Sequence, residues 1–124
     1  MSNFLDQFVT DVKSNVPGYI AVSVTEVSTG VCYASNSDSP DFDPEIASAY
    51  NLEVVKAKKN AIKALGLDSS VQEILITLTG QIHIIDVSEN GEYFLYLAVD
   101  ATKANLGMTR ALLKKYKKDI VANM

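Results

Sequence analysis

The residues able to do chemistry are few. The chain has one histidine, His83, and one cysteine, Cys32. A thiol nucleophile needs a base within hydrogen-bond reach. These two sit in separate apolar stretches, Val31-Cys32-Tyr33 and Ile82-His83-Ile84, which read as strands that need not be neighbours. Cys32 is expected to be a small packing residue, and His83 a plain strand residue. A zinc site draws several ligands from Cys and His, so a single copy of each predicts no metal centre. Neither Gly-x-x-x-x-Gly-Lys nor Gly-x-Gly-x-x-Gly occurs, so no phosphate loop is signalled. Acids are plentiful but fall mostly in loops and turns, where solvation is the ordinary state. No catalytic residue, cofactor or metal follows, and the expectation is a protein that is not an enzyme.

Charge narrows the partners. The formal net charge is -4, and of the 11 basic residues only Lys13 precedes Lys56. Acids dominate residues 26–45. An acidic chain without a basic arm argues against nucleic acid as the main partner. No apolar run reaches the ~20 residues of a membrane span. The N-terminus lacks the basic start of a signal peptide, and one cysteine cannot form an internal disulfide. A cytoplasmic location is the simplest expectation. With 124 residues, of which 48% are hydrophobic, the chain suits one domain, 1–124.

These residues need positioning elements. Residues 3–16 read as an amphipathic helix, stopped by Pro17-Gly18. Residues 19–27 and 31–35 form a hairpin of strands around Ser28-Thr29-Gly30. An acidic surface loop follows over 36–42. Strands are expected over 71–79, 82–87 and 93–99, the last two joined at Asn90-Gly91. The fifth strand is apolar on both faces, as a covered central strand should be. A last helix spans 104–122. Its Arg110, Lys114, Lys117 and Lys118 share one face; a solvated face is the default, and an anionic contact the sharper alternative. Helices on both faces of an antiparallel sheet give an α+β sandwich, in the order α-β-β-α-β-β-β-α.

The central helix, 44–65, is the most informative element. Asp43 caps it, Pro44 suits its first position, and Gly66 ends it. At about 100° per residue, Ile46, Ala47, Tyr50, Val54, Ala57, Ala61, Ala64 and Leu65 fill one sector. Val55 and Ile62 extend the apolar surface beyond it. A helix on one core needs a stripe of only about 100°. This helix should touch its own sheet and something else.

The element order, together with Ala104-Asn105-Leu106-Gly107-Met108-Thr109-Arg110, resembles the roadblock (dynein light chain) family of bacterial type. Its members open their final helix with Asn-Leu-Gly-hydrophobic-x-Arg. The alanine-rich central helix ending at Leu65-Gly66 and the Asn90-Gly91 hairpin are also similar. The first hairpin has Ser-Thr-Gly where many members have Asp-Gly. The resemblance implies a profilin-like fold and a homodimer, with central helices antiparallel and third strands paired edge to edge. Tyr50, Val54, Val55, Lys58 and Ile62 of the helix and residues 72–78 of the strand, with Ile74, Ile76 and Leu78 foremost, would make the contact. Asn105, Leu106, Gly107 and Arg110 would be structural. Gly107 early in a helix costs about 1 kcal/mol against alanine, so a close helix-to-sheet approach is expected there. The family's non-enzymatic members regulate or scaffold Ras-like small GTPases, and that is the function implied here.

A ligand-sensing domain, with a metabolite held between sheet and helix, is the alternative from another class. It needs a cavity with convergent polar groups. Ser23, Thr25, Thr77 and Thr79 are the strand polars available, and they form no evident cluster.

Overall fold

The computed structural model describes residues 2–124. Its elements are α1 (Ser2–Asn15), β1 (Tyr19–Glu26), β2 (Cys32–Ser37), α2 (Pro44–Ala64), β3 (Glu73–Thr77), β4 (Gln81–Val87), β5 (Tyr93–Asp100) and α3 (Leu106–Asn123). The strands form one antiparallel sheet ordered β2-β1-β5-β4-β3. The expected α+β order and the central place of β5 are both observed.

Strand alternation divides the core in two. On one face Val22, Val24, Ile84, Leu95, Leu97 and Val99 meet Phe8 and Val12 of α1 and Leu113 and Ile120 of α3. On the other, Ile85, Val87, Phe94, Tyr96 and Ala98 meet Leu52 and Val55 of α2. Because β5 contributes to both, Phe94 through Val99 are all buried.

The caps of α2 are the expected ones. Asp43 accepts from the backbone N–H groups of Glu45 and Ile46 at 2.9 and 3.2 Å. Gly66 has φ +67, and Leu67 N–H returns to Ile62 C=O at 3.1 Å, satisfying a terminal carbonyl. Gly91, at φ +74, makes the Asn-Gly turn between β4 and β5.

Some boundaries move. β3 is shorter than 71–79: its pairing with β4 runs only from Glu73, opposite Asp86, to Thr77, opposite Ile82, and leaves Leu78 outside the strand. β2 runs on to Ser37, taking the first residues of the expected acidic loop into pairing with β1. The last helix starts at Leu106, with Asn105 as its cap, accepting from Met108 N–H at 3.2 Å. Gly107 does not mark a close approach: a Cβ built there meets nothing nearer than Asn105 Oδ1 at 3.8 Å.

Candidate functional site

The inner face of α2 is the less apolar one. Its buried residues are Ser48, Asn51, Leu52 and Val55. Ser48 shares a hydrogen bond with Ser23 of β1, and two small side chains let helix and strand approach closely. Asn51 donates to the Ala47 carbonyl at 2.8 Å within the helix. Ser23 and Thr25, two of the four strand polars expected to stand apart, are buried beneath α2, and Ser23 helps to hold it.

The apolar sector read from the sequence therefore points outward. Tyr50 is 74% exposed, Leu65 68%, Ile46 57% and Val54 38%. Ala57 and Ala64 are exposed beside them, while Ala47 and Ala61 are half-buried. Val55 does not belong to this surface. It is wholly buried against the sheet in the single chain, so it is a core residue and not a dimer contact.

The third strand lies at the sheet's edge, next to β4 alone. Ile74 and Ile76 turn toward the α2 side and are partly covered by that core. Leu75 turns to the opposite face and is exposed, as is Leu78 beyond the strand end. Leu75 falls within the stretch 72–78 that the resemblance implies for the contact, and its side chain is open to solvent. Between α2 and β3 runs a cleft of about 490 Å³, lined by Val54, Lys58 and Ile62 on the helix and Val71, Ile74 and Leu75 on the strand side. Of the expected contacts, Val54, Lys58, Ile62 and Ile74 thus border one cleft, while Tyr50, Ile76 and Leu78 lie outside its lining. An unpaired apolar edge is a template for pairing.

The signature helix does different work from that expected of a solvated basic face. Glu73 of β3 and Asp86 of β4 are register partners, and both point to α3. Arg110 grips Glu73 as a fork, Nη2 to Oε1 at 2.7 Å and Nε to Oε2 at 3.0 Å, with Lys114 Nζ 3.4 Å away. Lys117 Nζ donates to Asp86 Oδ1 at 2.8 Å. Arg110, Lys114 and Lys117 are thus paired within the chain, because strand pairing sets two acids under the helix.

Burial alone would raise the Glu73 pKa; the Arg110 hydrogen bond and the Lys114 and Arg110 charges outweigh it and hold the carboxyl below its ordinary value. A depressed folded pKa gives stability that is present above the unfolded value of about 4.3. It is lost as pH falls through the lower folded value. Glu73→Gln is expected to flatten that part of an acid-unfolding curve, followed by circular dichroism.

His83 and Cys32 lie on strands separated by β1 and β5. The Tyr96 hydroxyl donates to His83 Nδ1 at 3.2 Å, which leaves Nε2 to donate to Gln81 Oε1 at 2.7 Å. Burial lowers the His83 pKa and pushes the Tyr96 phenol up to about 12, so both are neutral near pH 7. Burial also raises the Cys32 thiol pKa. Its Sγ donates to the Ala34 carbonyl at 3.3 Å. Among the described residues no group of three or more Cys, His, Asp or Glu could hold a metal. No helix among them is long and apolar enough to cross a membrane.

A five-stranded antiparallel sheet of this order, with α2 on one face and α1 and α3 on the other, is the roadblock fold. No family model and no curated protein matches the sequence. Solved structures match the shape. The Roadblock/LC7 domain from Streptomyces avermitilis superposes with TM-score 0.78 at 11% identity, over 99% of this chain and 96% of that one. Myxococcus xanthus MglB gives 0.75 at 14% identity, covering 95% and 82%. The gliding protein MglB from Thermus thermophilus gives 0.69 at 18% identity, covering 94% and 82%. At these identities the likeness is one of fold.

Proposed function

We propose that the chain acts as a dimeric, non-enzymatic module that binds a Ras-like small GTPase and modulates its nucleotide cycle or location. The observation that carries the dimer is the outward apolar sector of α2. It lies across a cleft from an unpaired sheet edge, and both flank the same side of the molecule. Two copies joined by a two-fold axis would cover both features at once, in an isologous contact. The GTPase follows from the roadblock resemblance, and the likeness to MglB structures supports it.

The test is capture from the native host. Tagged chain is expected to retain a Ras-like GTPase, with retention dependent on whether GDP or a non-hydrolysable GTP analogue is supplied. The hydrolysis or exchange rate of that GTPase should change on adding the chain. Recovery of no GTPase under either nucleotide would remove the partner from the proposal and leave the dimer standing.

A further inference from the structure

We propose that the open edge of β2 accepts a short extended segment of a partner protein, rich in lysine or arginine, which pairs with it as a sixth strand. β2 lies at the opposite end of the sheet from β3, with only β1 beside it among the described residues. Pairing of two copies through β3 would leave this edge uncovered in both, so the site does not depend on the dimer.

Backbone phase decides what the edge offers. The Asp38 N–H donates to the Ile20 carbonyl at 2.8 Å. In an antiparallel pair, alternate residues bond to the partner strand. Asn36 and Ala34 therefore bond inward to β1, opposite Val22 and Val24. The backbone N–H and C=O groups of Ser35 and Ser37 point away from the sheet. Groups aimed outward in this way are a template for strand addition. The template is short. Beyond Ala34 the register shifts, Thr25 faces Cys32, and Tyr33 is the extra residue of a bulge. The regular edge, residues 34–37, takes about four residues, or roughly 14 Å, of added strand.

Charge selects the occupant. Between Lys13 and Lys56 there is no lysine or arginine, while Glu26, Asp38, Asp41, Asp43, Glu45 and Glu53 all fall in that span. Asp38, just past the end of β2, meets Lys13 at 3.3 Å; no other ion pair among the described residues engages these acids. Burial is the main cause of the raised Cys32 thiol pKa, and the Glu45 charge adds to it, so the first turn of α2 bears on the same strand. At the bulge Tyr33 is open to solvent, its ring meets that of Tyr93 at 6.3 Å, and its hydroxyl lies 3.4 Å from Glu26 Oε1. An aromatic ring beside a carboxylate suits a lysine or arginine, through cation–π attraction and ion pairing. A second copy of β2 would set acid against acid, and edge charges of this kind guard against self-pairing. A basic segment turns the same charges into attraction.

The test uses an acetylated, amidated probe peptide, Arg-Val-Arg-Val-Arg-Val-Arg, titrated into isotope-labelled chain and followed by amide NMR shifts. Shifts should concentrate at residues 32–38, with slowed amide exchange at Ser35 and Ser37. The same peptide with glutamate for arginine should not bind. Methylating the backbone amides of either the valines or the arginines removes donors and keeps every charge. One of these two probes should bind at least about tenfold more weakly, and the other nearly as well as the parent. Ser35→Pro removes one outward N–H at an edge position where proline is tolerated. It should keep the native circular dichroism and lose at least about tenfold in affinity. The methylated probes decide the matter if Ser35→Pro fails to fold.

Equal binding of both methylated probes would overturn the proposal, since the peptide would then coat the acids without entering the sheet. So would shifts centred away from β2, no shift by about 1 mM peptide, or equal binding of the glutamate peptide. A folded Ser35→Pro chain whose own oligomeric mass falls would make a second copy the occupant and overturn it as well.

Discussion

Lys117→Ala is expected to cost about 3–5 kcal/mol, a large share of the roughly 5–15 kcal/mol that holds a domain of this size. Asp86 is wholly buried on β4, and Lys117 supplies its 2.8 Å partner at Oδ1. Its Oδ2 has no hydrogen-bond partner among the described residues. Removing the lysine leaves a carboxylate with no counter-charge in contact under a helix. The penalty is that of an uncompensated buried charge and exceeds the net worth of the pair. Hence Asp86→Ala/Lys117→Met, which removes both charges without enlarging either side chain, should recover most of the loss. Urea unfolding of the three chains measures this. A Lys117→Ala cost below about 1 kcal/mol, the scale of a surface pair, would contradict it.

The neighbours Val54 and Val55 should give opposite outcomes on the same substitution. Val55→Asp sets a carboxylate among Leu52, Ile85 and Phe94 in a site with no exposure. The cost should exceed about 4 kcal/mol, and the chain should lose cooperative unfolding near room temperature. Val54→Asp changes an exposed position on the cleft facing β3. It should leave the single chain folded and remove self-association. Near-ultraviolet and far-ultraviolet circular dichroism separate the two. A folded Val55→Asp chain would mean that α2 does not depend on that contact.

How much of this is legible in the sequence differs by feature. The α2 caps, the Asn90-Gly91 turn and the central β5 are readable, because cap chemistry, turn chemistry and two-faced apolarity are local. The exposed sector of α2 is also readable as a set. Periodicity does not tell which apolar side meets the sheet, and Val55 is drawn toward the interface for that reason. The buried side carries Leu52 and Val55 together with the Ser23–Ser48 contact, which joins a strand serine and a helix serine from distant parts of the chain.

The pairing of the basic α3 face is hidden for a related reason. Glu73 and Asp86 become neighbours only through the β3–β4 register, and only then does a row of Arg110, Lys114 and Lys117 have acids beneath it. Long-range register is not carried by any local pattern. Gly107 misleads in the other direction: its cost in a helix suggests crowding, yet the space around it is open.

Sedimentation equilibrium of the unmodified chain beside Val54→Asp tests the central claim most directly. The unmodified chain should have the mass of two copies at micromolar concentration, and Val54→Asp the mass of one, with both folded. An unmodified chain that is folded and remains a single copy across that range would contradict the account, because the outward face of α2 would then have no second copy to cover it.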